Sequence, residues 1–256
     1  MIKRVNMNQM RAVIAGGTSG IGLEIAKHLM GQGCQVIVSG RNADKLGRAL
    51  KELGDGAVGF LADLSTVAGQ KEWLSQCDRE LAGQPLDFLV HCAAVYYAKP
   101  LAEEDSESIQ AAFQTNVVSA MVLAQGLYPK LKQGRGKSAL FISSTLSLKP
   151  IPGSGTYSAS KAALDSVVSS LALEWASEGI RVNSIQPGVI DTPIHDPRNP
   201  GEPSRHEKMT QMGPFHPLGR VGRVEEVARA AVFLLAPESN WITGVKWPVD
   251  GGISLV

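Results

Sequence analysis

Apolar and polar positions along the chain fall into two alternating patterns. Residues 10–15, 34–39, 57–61, 86–92, 137–143, 181–185 and 242–249 form short runs, mostly continuous in apolar character and each too short for a stable helix. Runs of that kind suit strands covered on both faces. Between them, residues 23–29, 42–53, the stretch opened by Ser65, 105–131, 157–176 and 225–235 carry helical periodicity. Strands alternating with helices predict an α/β fold, a doubly wound parallel β-sheet of about seven strands with helices on both faces. Residues 194–217 are the one long stretch without periodicity, rich in Pro, Gly, His and charge. Such a segment inside an α/β fold is usually a lid or binding loop, so 193–217 is assigned to substrate binding.

Composition narrows the picture only a little. A chain of 256 residues fits one domain of this class, 1–256, and 44% hydrophobic with 19% charged residues is an ordinary globular balance. The formal charge of +1 gives no electrostatic reason to expect a nucleic acid or an anionic membrane as partner. The longest apolar run, near 228–236, is too short to cross a bilayer, and residues 1–10 lack the apolar core of a signal peptide. A cytoplasmic location is the resulting expectation. Cys34, Cys77 and Cys92 are odd in number and scattered, which suits free thiols and offers neither a metal cluster nor a disulfide framework.

Chemistry enters at the end of the first apolar run, which passes into G-G-T-S-G-I-G and then a helix. Strand, glycine turn and helix in that order are the setting of a dinucleotide fingerprint of the Rossmann type. Gly16, Gly20 and Gly22 permit a tight turn, close approach of backbone to a pyrophosphate and close packing of helix on strand. Gly16, Thr18, Ser19, Gly20, Ile21 and Gly22 are therefore assigned to cofactor binding, with the helix N-terminus facing phosphate. At the end of the second strand, where a carboxylate would accept from an adenosine ribose, the chain has Gly40 and Arg41. A guanidinium suits a phosphate on the 2′ oxygen, which points to NADP(H) ahead of NAD(H), unless Arg41 merely opens the helix over 42–53. Asp63, followed by Leu64, ends the third strand and has two readings, a contact to adenine or a cap for the helix that Ser65 begins. Ala93 follows the fourth strand as a small residue where a planar cofactor lies against backbone.

The fifth strand leads into S-T-L-S-L-K-P-I-P-G-S-G-T-Y-S-A-S-K, residues 144–161. Tyr157 and Lys161 stand four apart, so a helix puts phenol and ammonium on one face. A phenol ordinarily loses its proton near pH 10, and a fixed positive charge beside it lowers that value. The pair thus reads as a proton donor and acceptor, with Ser144 as a neutral hydrogen-bond donor to the same reacting oxygen. Asn116 lies amid apolar neighbours in the long stretch 105–131, a placement typical of a packing or kink residue.

Together these pieces resemble the short-chain dehydrogenase/reductase family over nearly the whole chain. The resemblance rests on Gly16 to Gly22, on Ser144, Tyr157 and Lys161, on Asn116 in T-N-V, on Pro187 and Gly188 in P-G-V-I-D-T, and on Asp250 to Gly252. It implies that Tyr157 passes a proton to or from the substrate oxygen while hydride moves between nicotinamide and substrate carbon, and that Ser144 holds that oxygen. Lys161 would both acidify Tyr157 and bind the nicotinamide ribose, and Asn116 would complete a proton relay. Backbone groups near Val189 and Ile190, with the Thr192 hydroxyl, would anchor the nicotinamide carboxamide, Pro187 and Gly188 would also contact the cofactor, and Tyr96, Tyr97 and Leu146 would join residues 194–217 around the substrate.

Two departures stand out: His91, Cys92, Ala93 and Ala94 replace the family's N-N-A-G, and Ala15 replaces the usual threonine before Gly16. The expected activity is hydride transfer between NADP(H) and a small carbonyl or secondary alcohol. The competing expectation is a non-enzymatic NADP-binding regulator on the same fold. The resemblance also implies a homotetramer joined through helices 105–131 and 162–176 and the last strand.

Overall fold

The computed structural model describes residues 7–197 and 200–256, so residues 1–6 and Arg198 and Asn199 of the predicted loop lie outside it. The apolar runs become β1 (Arg11–Ala15), β2 (Gln35–Gly40), β3 (Ala57–Leu61), β4 (Phe88–His91), β5 (Ser138–Ile142), β6 (Arg181–Pro187) and β7 (Lys246–Val249). All pair in parallel in the order β3-β2-β1-β4-β5-β6-β7. The last strand begins later than its apolar pattern suggests. The Ile242 carbonyl is taken by the side chains of Arg181 and Asn183, and Gly244 then turns the chain at φ +75° before pairing starts.

Helices α1 (Gly20–Met30), α2 (Ala43–Leu53) and α8 (Val224–Leu235) cover one face, and α3 (Val67–Leu81), α5 (Ser119–Gln133) and α6 (Gly155–Trp175) the other. Strand β1 shows why the apolar runs are continuous. Ala12 and Ile14 pack with Ile25, Leu29 and Leu234, whereas Val13 and Ala15 pack with Trp73, Leu123 and Leu164. Alternate side chains enter opposite layers, so neither parity is free to be polar.

The stretch 105–131 is interrupted. Asp105 caps α4 (Ser106–Phe113), a π-helical turn spans Gln114–Val118, and α5 follows without a break in direction of chain. Such a single widened turn frequently marks a functional position. Here it carries Asn116.

Residues 194–217 are more ordered than their composition predicts. They contain α7 (Arg205–Met212), opened by a capping box in which Ser204 accepts from the Glu207 amide and Glu207 accepts from the Ser204 amide. Two turns of a polar helix, with Met209 as its buried residue, leave too little periodicity to detect. The S-x-x-E signature was present in the sequence all the same.

Candidate active site

A cavity of about 830 Å³ opens at the carboxyl ends of the strands, beside the point where strand order reverses between β1 and β4. That crevice is where open parallel sheets bind ligands. Its walls include Gly16, Thr18, Ser19, Gly20, Ile21, Arg41, Asp63, Leu64, Ala93, Ser144, Tyr157, Lys161, Pro187, Gly188, Ile190 and Thr192. Of the residues assigned from sequence to catalysis or the cofactor, Gly22 and Asn116 do not line it.

At one end the glycine turn fits a phosphate-bearing group. Gly16 has φ +80°, and a side chain there would stand 2.6 Å from the Ala93 amide. Ser19 occupies the N-cap of α1 without a side-chain cap bond, so the first-turn amides of Gly20 and Ile21 keep no such partner. Gly22 is a packing glycine instead: a Cβ there would sit 2.2 Å from the Gly16 carbonyl. The sequence assigned it contact with a cofactor, but its amide bonds the Cys92 thiol behind the turn.

Beside the end of β2, Arg41 is exposed and Lys45 also lines the cavity. A side chain at Gly40 would meet Thr18 Oγ1 at 2.4 Å, so a carboxylate at that position has no room. Asp63 does not cap a helix. Its carboxylate accepts from the amide and hydroxyl of Ser65, which hold it below the usual carboxylate range, while Thr66 caps α3 by accepting from Gly69. Local turn bonding of Asp to the residue two ahead outcompeted the cap.

At the other end Ser144, Tyr157 and Lys161 converge. Ser144 follows β5, its hydroxyl bonding the Tyr157 phenol and accepting from the Leu146 amide at 3.1 Å. Lys161 is 1% exposed, with Nζ donating to the Ile142 carbonyl at 2.7 Å and lying 5.6 Å from the centre of the Tyr157 ring. The expectation that Lys161 acidifies Tyr157 is not met. Burial, aided by Tyr96 and Cys92, pushes the phenol up and outweighs the Ser144 hydrogen bond. Burial also pushes the Lys161 ammonium down to about 8. Desolvation penalises the charged form of both groups, and at this end of the cavity it is the largest influence on each. Tyr157 is therefore a neutral phenol, able to donate.

Asn116 stands behind this wall. Its side chain accepts from the Val95 amide at 2.9 Å and donates to the Val95 carbonyl and to Ser160 Oγ, both at 3.0 Å. Ser160 in turn donates to the Tyr157 carbonyl at 2.7 Å. The π-helical turn thus ties the wall residue Val95 to the first turns of α6.

Other contributors were not evident from sequence. Asp165, one turn beyond Lys161, accepts from Ser184 at 3.0 Å and from Gln186 at 2.7 Å, pinning α6 to β6. Tyr96 and Leu146 line the cavity as expected, whereas Tyr97 does not. Ile194, His195, Met212 and Phe215 come from the predicted loop, and Ile253, Ser254 and Val256 from the C-terminal turn. An i to i+4 spacing of Lys161 and Asp165 was the only available signal for the carboxylate.

The replacement of N-N-A-G has local consequences. His91 is 1% exposed, its Nε2 2.8 Å from Ser119 Oγ, and burial pushes its imidazole down to about 3. Ser119 donates to the Thr115 carbonyl, so His91 must donate to Ser119 from Nε2. Cys92 faces the cavity, and burial pushes its thiol up to about 11. The three cysteines are free thiols. Among the described residues no cluster of His, Cys, Asp or Glu could hold a metal, and no helix is long and apolar enough to cross a membrane.

Sequence and structure comparisons agree with this geometry. The profile of the family described as Enoyl-(Acyl carrier protein) reductase matches residues 15–254. Two tropinone reductase homologues of Arabidopsis thaliana are 34% and 32% identical, each over 99% of this chain and over 95% and 78% of their own lengths respectively. A tropinone reductase homologue of Datura stramonium is 30% identical over 99% of this chain and 95% of its own. Among solved structures, a short chain dehydrogenase/reductase family protein superposes with TM-score 0.86 at 31% identity, covering 98% of this chain and all of its own. A short-chain dehydrogenase/reductase from Serratia marcescens reaches 0.86 at 27% identity, covering 97% and 99%. With glycine turn, serine, tyrosine and lysine on one cavity of a seven-stranded parallel sheet, the chain belongs to the short-chain dehydrogenase/reductase family of oxidoreductases.

Proposed function

We propose that the protein catalyses hydride transfer between NADP(H) and a carbonyl or secondary alcohol, with Tyr157 as the proton donor and acceptor. The observation that carries this reading is that Ser144, Tyr157 and Lys161 share one cavity with the glycine turn. When bound, the nicotinamide supplies or accepts the hydride. Gly16, Thr18, Ser19, Gly20 and Ile21 hold the phosphates, Asp63 and Leu64 flank the adenine, and Ala93, Pro187, Gly188, Ile190 and Thr192 border the nicotinamide half. Arg41, which stands where a carboxylate would otherwise accept from the adenosine ribose and whose charge also acts on Asp63, favours a 2′-phosphate and so NADP(H).

Tyr157 gives its phenolic proton to the substrate oxygen in reduction and recovers it in oxidation. Ser144 donates a hydrogen bond to that oxygen and keeps it within reach of the phenol. Lys161 places a positive charge below Tyr157 as the phenolate forms, and Asn116 holds Val95 and α6 in register behind the pair. The substrate end is mainly apolar, with Tyr96, Leu146, Ile151, Met212 and Phe215 on its walls. A compact apolar ketone or alcohol fits such walls.

A panel of ketones and alcohols offered with NADPH, NADP, NADH and NAD tests the reading. Turnover of at least one pair supports it. Nucleotide binding without turnover across a broad panel would favour the non-enzymatic regulator, for which the altered segment His91 to Ala94 is the motive.

A homotetramer is part of the same proposal. Met121 on α5 (49% exposed), Leu173 on α6 (82%) and Trp247 on β7 (36%) leave apolar surface on each face expected to join subunits. A stable monomer in light scattering at micromolar concentration would reject it. The free thiols and the lack of a membrane-spanning helix among the described residues suit the cytoplasm.

A further inference from the structure

The last ladder bond of β6 runs from the Gly188 amide to the Val249 carbonyl, and the next amide, Val189, leaves the sheet. It donates to Nε2 of His216 at 3.3 Å. The other ring nitrogen, Nδ1, lies 3.1 Å from the Met212 carbonyl. An amide can only donate and a carbonyl can only accept, so the ring is the neutral tautomer carrying its hydrogen on Nδ1. His216 is 2% exposed.

This one imidazole touches two walls of the cavity. Val189 belongs to the floor where β6 ends, and Met212 closes α7, with Met212 and Phe215 both on the cavity. The residues after His216 complete the arrangement. Leu218 donates to the Gly251 carbonyl at 3.1 Å, holding the turn that brings Ile253 and Ser254 to the cavity. Gly222 donates to the Val189 carbonyl at 2.9 Å, so both polar atoms of Val189 are fixed by the segment that carries His216. Gly222 packs closely on this floor, since a Cβ there would stand 2.4 Å from Ile190 Cδ1 and displace that side chain.

We propose that His216 is a positioning residue, a two-sided latch whose Nε2 holds the Val189 and Ile190 floor for the dinucleotide and whose Nδ1 holds the C-terminal end of α7 against the cavity. The latch rests on the reading of the cavity as a nicotinamide dinucleotide site. Its two bonds are separable. His216→Gln reaches the Val189 amide with an acceptor, His216→Asn keeps a donor near the Met212 carbonyl, and His216→Phe keeps the ring and loses both bonds.

Two readouts follow the two bonds: the Kd for NADPH by fluorescence, and the rate of trypsin cleavage after Arg205 or Lys208 on α7. His216→Phe raises Kd about tenfold and speeds cleavage. His216→Gln returns Kd toward that of the parent protein while cleavage stays fast, and His216→Asn does the reverse. Should the phenylalanine variant fail to fold, the opposite behaviour of the Gln and Asn variants carries the test. Indistinguishable Gln and Asn variants, or an unchanged Kd in all three, would overturn the latch. A parent protein that binds neither NADPH nor NADH would instead overturn the dinucleotide reading, and the latch with it.

Discussion

Tyr96 lies against Tyr157, ring centres 4.7 Å apart and planes inclined at 56°. The contact removes water from one side of the phenol and adds to the burial that pushes it up. Tyr157 is thereby kept protonated at neutral pH. In the proposed reaction the assisting charge comes from Lys161, whose own ammonium is pushed down to about 8 by burial.

A pH dependence follows with a definite sign. Lys161 carries its charge below about pH 8 and loses it above, while the phenol stays neutral across this range. Ketone reduction should therefore hold level from pH 6 to 7.5 and fall as pH rises through about 8. Lys161→Met should lower the plateau and abolish that fall. A rate that rises through pH 8 in the unaltered protein would contradict the assignment.

Arg41 makes a separable prediction about cofactor choice. Arg41→Ala should raise the Kd for NADPH about 10- to 100-fold, the scale of one charge-assisted hydrogen bond, and that for NADH less than about 3-fold. Calorimetric titration with both nucleotides reads this directly. Equal losses for the two would remove the 2′-phosphate contact from the account.

How much of this was legible in sequence depends on how local the cause was. The strands could be read because a central parallel strand such as β1 is buried on both faces and so cannot alternate. The cavity residues could be read because strand ends and the turns after them are adjacent in sequence. Where partners come from distant segments, the sequence was silent or misleading. The spacing of Tyr157 and Lys161 suggested an acidified phenol, but its pKa is set by enclosure, to which Tyr96 and Cys92 contribute. Asp165 accepts from β6 and His216 from the Val189 amide, contacts that no spacing announces. The π-helical turn at Asn116 widens the helix over Gln114–Val118 alone, too short a stretch to disturb the apolar periodicity on either side of it.

His91 predicts an acid-sensitive fold. Its imidazole titrates near pH 6.5 when unfolded and is pushed down to about 3 by burial in the native protein. Between those values the unfolded chain binds the extra proton, so the stability His91 contributes is full above pH 6.5 and is lost as pH falls toward 3. At pH 5 the loss is about 2 kcal/mol. Unfolding free energies from urea titrations at pH 7 and pH 5 should differ by that amount, and His91→Asn should shrink the difference. An identical difference in the variant would show that other groups cause the acid sensitivity.

The central claim is that one phenol handles the proton while the rest of the cavity binds. Tyr157→Phe removes a single oxygen atom, so single-turnover reduction of the best ketone by NADPH measures that claim most directly. The account predicts a Kd for NADPH within about 2-fold of the parent protein and a hydride-transfer rate lower by about 10²- to 10⁴-fold. Hydride transfer at an undiminished rate in the Tyr157→Phe protein would contradict it.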